Sequence, residues 1–405
     1  MTRLQRFFPL VATIVFGLVS TNSFAVDIDV EATASGGSTS NLFSDSTEKK
    51  DTYSTSSVDL NWYPLSVARL NLVSEYSYYG NYFNLSNLVY GGGLTLIPTS
   101  DSSRISTYLE GNLRKREYRD IESDSTTLNA NEFTGDEYDA IVGIGYRLSS
   151  RTQLRAGVSF ASTQYNVDGV IDREKLVITA GANTTLFDAY ALDLEIGYST
   201  GRYQHIDTIT YVGGDPPMPV PRRAILSGEQ YSILLTDRLK SLYVSPRLSR
   251  SLGRKTGLSL TYSYRQFLDR NDAAIIYGYS SGYLSPWLGE FAGQAAVLKI
   301  KTYLIPRLIT SISAGFWERE HIRTVERELR PNRLGQLIST VNLRYAQERT
   351  DWRRRVDLRL QWPILLGSGV VLEPSLQADY TDNNSIVRVY DYDDFSLSVG
   401  ATVRF

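Results

Sequence analysis

Side chains with intrinsic chemistry are few in this chain. His205 and His321 are the only imidazoles among 405 residues, and cysteine is absent. Without thiols there are no disulfides, no thiolate-bound zinc and no cysteine nucleophile. His205 precedes Asp207 by two residues, a spacing that could orient an imidazole, but no serine stands beside either histidine in a nucleophile setting. The expectation is therefore not an enzyme. The run Tyr390-Asp-Tyr-Asp-Asp394 gathers carboxylates without the spacing of an EF-hand, so a solvated acidic rim is expected, with no metal and no cofactor. More telling are charges at even spacing: Asp27, Asp29 and Glu31; Lys299 and Lys301; Arg355 and Arg359. Residues two apart on a strand project from the same face, so each set would arm one side of a sheet.

The elements that must hold these charges are strands. The last eleven residues alternate without a break: Phe395, Leu397, Val399, Ala401, Val403 and Phe405 form an apolar face, opposite Ser396, Ser398, Gly400, Thr402 and Arg404. Period-two runs of this kind recur along the chain, at 26–34, 56–62, 68–78, 88–96, 105–113, 138–148, 153–160, 175–184, 190–198, 242–248, 258–264, 296–304, 308–316, 337–345, 356–362, 372–380 and 395–405. Tight turns such as Leu148-Ser-Ser-Arg151 and Leu252-Gly-Arg-Lys255 alternate with long connections, the longest at 202–239. Short turns on one rim and long loops on the other are the asymmetry of a transmembrane barrel. The reading is an all-β, antiparallel, up-and-down transmembrane β-barrel of about 16 strands, with 14 or 18 as alternatives. Seventeen runs cannot alternate in direction and return to the starting side. The conflict lies between His321 and Asp351: either 337–345 merges with the next strand through a bulge, giving 16, or a strand hides in 321–330, giving 18 with Glu326 and Glu328 facing lipid.

The amino terminus sets the compartment. Arg3 and Arg6 precede an uncharged run from Phe7 to Ser20, and Ser23-Phe24-Ala25 offers small residues at the cleavage positions of a signal peptide. Residues 1–25 are expected to be that peptide, and 26–405 a single barrel domain. With 42 basic and 44 acidic side chains, the chain has no nucleic-acid signature. The 28 tyrosines beside a slightly negative mean hydropathy suit strands that show one face to lipid and the other to water.

The carboxyl-terminal strand resembles that of Gram-negative outer-membrane β-barrels. The resemblance implies an outer-membrane location, contact with membrane lipid and lipopolysaccharide, insertion by the barrel assembly machinery, and Phe405 as the assembly signal. Placing the apolar parity towards lipid sends the other parity inwards. There Arg247, Arg265, Lys299, Lys301, Arg344, Arg355 and Arg359 form a basic row. Asp27, Asp29, Glu31, Asp59, Glu75, Glu373 and Asp379 form an acidic row, with Arg355 or Arg359 able to reach Glu373 or Asp379 across strands. Opposed rows resemble the constriction of general porins. A barrel of this size with this lining is expected to pass small hydrophilic solutes, and the proline-rich loop at 202–239 is a candidate to narrow it. The alternatives are a surface receptor, adhesin or structural barrel without an open pore. A further one is the barrel component of an export system, since 353–405 loosely resembles the carboxyl ends of surface-lipoprotein translocators through Arg355, Asp357, Asn384-Ser385 and Tyr390-Asp-Tyr392.

Overall fold

The computed structural model describes residues 28–41, 49–81, 86–98, 103–118, 135–165, 173–187, 189–203, 238–268, 274–277, 291–321, 323–331, 337–342, 349–367, 369–386 and 390–405. The proposed signal segment and Asp27 lie outside them, as do His205, Arg344 and nearly all of the 202–239 loop.

Twenty strands are formed: β1 (Ile28–Thr39), β2 (Asp51–Leu65), β3 (Ala68–Tyr79), β4 (Asn87–Leu96), β5 (Ile105–Tyr118), β6 (Gly135–Arg147), β7 (Thr152–Tyr165), β8 (Arg173–Leu186), β9 (Tyr190–Tyr203), β10 (Arg238–Leu252), β11 (Thr256–Phe267), β12 (Ala274–Tyr277), β13 (Phe291–Ile305), β14 (Leu308–His321), β15 (Arg323–Pro331), β16 (Leu337–Asn342), β17 (Arg349–Gln361), β18 (Ile364–Leu366), β19 (Val370–Ser385) and β20 (Tyr392–Arg404). Sixteen of them make one closed antiparallel barrel; β18 pairs only with β19 beside a turn, and β12, β15 and β16 form a separate small sheet. Closure is made by β20 lying against β1, from Glu31 opposite Arg404 to Thr39 opposite Ser396. Beyond that register Phe405 and Val30 exchange both backbone hydrogen bonds, at 2.9 and 3.1 Å.

The register fixes the width. Opposed residues followed once round the wall, beginning Glu31, Asp59, Val73, Gly91, Arg114, return to β1 displaced by about 20 residues, a shear that tilts the strands by roughly 40°. With strands about 4.8 Å apart, sixteen strands at that tilt enclose a backbone cylinder about 30 Å across. Side chains on opposite walls cannot meet across such a span, unlike those of an eight-stranded barrel.

The outer face carries the exposed apolar residues: Leu72, Val142, Val158, Ile178, Ile196, Leu260, Ile312, Val356 and Val399 are each more than a third exposed. Aromatics edge this belt. Trp62, Tyr146 and Trp362 sit beside the short turns, and Tyr90, Tyr138, Tyr264 and Tyr380 lie roughly 20 Å further along the axis. An apolar band of about 25 Å between aromatic girdles is what a strand wall needs in a bilayer.

Two sequence expectations change. The count of sixteen stands, but not through a bulged merger. Leu337–Asn342 pairs with Arg323–Pro331, and that hairpin pairs through β15 with β12. β14 passes directly to β17, from Ile309 opposite Gln361 to His321 opposite Arg349. The segment between them belongs to a separate sheet and not to the barrel wall, so its charged strand 323–331 is not a lipid-facing strand of that wall. The strands also outrun their apolar stretches: β1 and β2 remain paired to Thr39 opposite Asp51, through residues assigned to a loop. Above the membrane the outward side need not be apolar, so a polar Ser/Gly/Thr sequence still pairs as strand.

Hydrogen bonds pin the upper rim. The Asp394 carboxylate accepts from Thr39 Oγ1 at 2.8 Å, from Ser40 Oγ at 3.0 Å and from the Asn41 backbone N–H at 2.9 Å. One oxygen of the acidic run is thus occupied by protein donors. Asp51 holds the Thr52 and Asn81 N–H groups in the same manner, at 2.7 and 2.8 Å. Below, the turn from β10 to β11 places Gly253 at φ 69°, a left-handed conformation that glycine adopts without a Cβ penalty.

Candidate functional site in the barrel lumen

Register assigns the charged rows to one face. Glu31 lies opposite Asp59 and Arg404, Ser259 opposite Lys299, Lys299 opposite Ser313, Ser313 opposite Asp357, and Asp357 opposite Asp379. Opposed residues share a face, and the other parity is the apolar belt. Asp29, Glu31, Asp59, Glu75, Glu373 and Asp379 therefore point inwards with Arg247, Arg265, Lys299, Lys301, Arg355 and Arg359. Strand rise and tilt place Arg247, Lys299, Lys301 and Arg359 within about 7 Å of a common height. Glu31 and Asp59 share that height, with Arg247 about half a turn away.

Ion pairing divides these residues into two groups. Arg155 is bridged to Asp193 at 2.7 Å and to Glu195 at 3.1 Å, Arg116 to Glu137 at 3.2 Å, and Arg404 to Glu31 at 2.7 Å and Glu373 at 3.2 Å. Arg355 reaches Asp379 at 2.5 Å, one of the cross-strand pairs the sequence allowed. Glu373, almost fully buried, also accepts from Gln361 Nε2. By contrast, among the described residues Arg247, Lys299, Lys301 and Arg359 make no ion pair within 4 Å. Arg359 thus does not reach Glu373 or Asp379.

Parity alone would have found several inward charges that the rows omit. Arg69, Arg114, Arg116, Arg155 and Lys175 face inwards on the earlier strands, as do Glu110, Glu137, Asp139, Asp193 and Glu195, while Asp357 lies among the later cations. The first half of the wall is thus mixed rather than acidic. What distinguishes Arg247, Lys299, Lys301 and Arg359 is that none makes an ion pair within 4 Å among the described residues, although Asp193 lies opposite Arg247 and Asp357 two strands from Lys299.

Among the described residues two recesses open from the wall. The lower, about 400 Å³, contains Arg247, Lys299 and Lys301 around Ser249, Ser259 and Gly257. The upper, about 340 Å³, is lined by Tyr108, Ile141, Val177, Tyr243, Lys175 and Arg265. Here glycine shapes the surface: the Tyr243 ring lies across Gly197 on the next strand, where any Cβ would strike it. The Tyr243 hydroxyl donates to Glu195 at 2.9 Å, and the Arg265 guanidinium stands 5.7 Å above the ring.

No protein-family model matches the chain, and no curated protein matches it. Among solved structures it is similar to CdiB from Acinetobacter baumannii, with a TM-score of 0.50 at 12% identity over 93% of this chain and 60% of that one. It is also similar to OccAB2 from Acinetobacter baumannii, with a TM-score of 0.46 at 11% identity over 94% of this chain and 98% of the other. The structure of OpdK from Pseudomonas aeruginosa with vanillate aligns with a TM-score of 0.42 at 10% identity, over 94% and 99% of the two chains. At these identities the likeness is one of fold.

Proposed function

We propose that this chain is an outer-membrane channel of a Gram-negative bacterium that passes small hydrophilic solutes, with residues 1–25 as its removable signal peptide. The width of the barrel carries this reading. Two walls of side chains, each reaching about 6 Å inwards, leave on the order of 20 Å between their tips, and a charged polar lining keeps such a space wet. The Debye length at physiological salt is about 8 Å, so a solute beside one wall scarcely feels the other. Each wall therefore acts locally rather than through a field spanning the pore. Arg247, Lys299, Lys301 and Arg359 attract anions on their side, and Asp29, Asp59 and Glu75 attract cations on theirs. Arg265, Arg355, Glu31, Glu373 and Asp379 join the same walls with their charge partly or wholly met by neighbours. Phe405 is the residue handed to the barrel assembly machinery, and the outer belt meets lipid, with lipopolysaccharide at the long-loop rim.

Planar-bilayer recording of the purified, heat-modifiable protein tests the channel. Stepwise conductance increments are expected. A protein that is folded by gel shift and inserted in the bilayer, yet silent, would overturn the channel and favour a receptor or structural barrel.

A further inference from the structure

We propose that the lower recess is a binding subsite for small dianionic oxyanions, centred on Arg247, Lys299 and Lys301. The inference rests on the channel reading for how a solute arrives, but not for the binding itself. Three inward arginines elsewhere in this barrel are met by carboxylates: Arg155 by Asp193 and Glu195, Arg355 by Asp379, and Arg404 by Glu31 and Glu373. In the recess three cations lie together and none makes an ion pair within 4 Å among the described residues; Asp193, opposite Arg247, is taken up by Arg155. β11, which runs between the strands that carry them, turns Gly257 and Ser259 inwards, with Ser259 opposite both Ser249 and Lys299 and Gly257 opposite Lys301. The floor between the cations is therefore hydroxyls and bare backbone. Arg250, at the recess edge, does not compete for the occupant: its guanidinium donates to Tyr190 Oη at 2.7 Å and stacks 4.7 Å from that ring.

Like charges held together without counter-ions repel, and the repulsion is relieved when an anion enters. A halide carries a single charge and leaves most of the positive charge of three cations unmet. A molecule with several charged oxygens can engage them together, while the serine hydroxyls donate to its remaining oxygens. Phosphate esters and dicarboxylates share this chemistry, and about 400 Å³ accommodates either with part of its water shell.

The test is calorimetric titration of the full-length protein, folded in detergent at low salt, with inorganic phosphate at pH 8, with succinate, and with acetate as the monoanion. Saturable binding of phosphate or succinate, at least about tenfold tighter than acetate, is expected. Tighter phosphate identifies the phosphoryl source and tighter succinate the dicarboxylate source. The Lys299→Gln/Lys301→Gln double variant should weaken that binding by about tenfold or more, and Arg69→Gln, on β3 across the barrel, by less than about threefold. Both variants are checked for heat-modifiable migration, and Arg247→Gln provides a second route should the double variant not fold. Equal affinities for succinate and acetate, or binding unchanged in the folded recess variants, overturn the subsite. Binding by a protein that does not conduct would overturn the channel and leave the subsite standing; conduction without saturable dianion binding would do the reverse.

Discussion

Glu373 and Glu31 both hold Arg404, but their surroundings give them different weight. The Glu373 side chain is 7% exposed and also accepts from Gln361, whereas the Glu31 side chain is 40% exposed. Removing Glu373 leaves a half-buried amide and one side of a guanidinium without their acceptor, so Glu373→Ala should cost about 1–3 kcal/mol. Glu31→Ala loses a solvated pair and should cost less than about 1 kcal/mol. Urea midpoints for the folded, heat-modifiable form measure both, and equal losses would show that the Gln361–Glu373–Arg404 cluster is not the stronger anchor of the closing seam. Neither role is visible along the chain. The sequence marks Glu373 as inward and acidic, but its burial comes from Gln361 and Arg404, twelve and thirty-one residues away.

A strand has only two faces, so neighbouring positions on β6 should respond oppositely to the same substitution. Val142 lies in the outer belt and is 55% exposed, while Ile141 lines the upper recess. Arginine at 142 enters the bilayer core at a cost of about 2–4 kcal/mol. Arginine at 141 enters the aqueous lumen and should leave the heat-modifiable fraction unchanged; comparable losses in both variants would mean the face assignment is reversed. At the terminal strand, deleting Phe405 removes its ring and also both backbone bonds to Val30. Phe405→Ala keeps the bonds, so an insertion defect as large as that of the deletion would locate the signal in the ring. Period two was enough to read these elements, because lipid on one side and water on the other impose it on every membrane-spanning residue. It failed at 337–342, where the same alternation builds a hairpin of a separate sheet. Periodicity reports a two-faced strand and says nothing of which sheet that strand joins.

For the molecule as a whole, width decides how charge acts. Four cations unpaired among the described residues lie on one wall of a lumen on the order of 20 Å across, and mobile salt screens them over about 10 Å at 0.1 M but only about 3 Å at 1 M. At the lower salt their influence extends through much of the water near that wall; at the higher it barely passes the side-chain tips. Replacing Arg247, Lys299, Lys301 and Arg359 by glutamine should therefore move the reversal potential under a salt gradient towards cation selectivity, strongly near 0.1 M and weakly near 1 M. Arg355→Gln/Asp379→Asn removes a cation and an anion already joined at 2.5 Å, and should leave the reversal potential where it was. Net charge alone predicts the same ordering of the two variants, so the salt series is the decisive part. A shift as large at 1 M as at 0.1 M would place these residues at a constriction too narrow for salt to screen, whereas one that collapses with salt requires an open wall whose counter-ions are supplied by the passing solution.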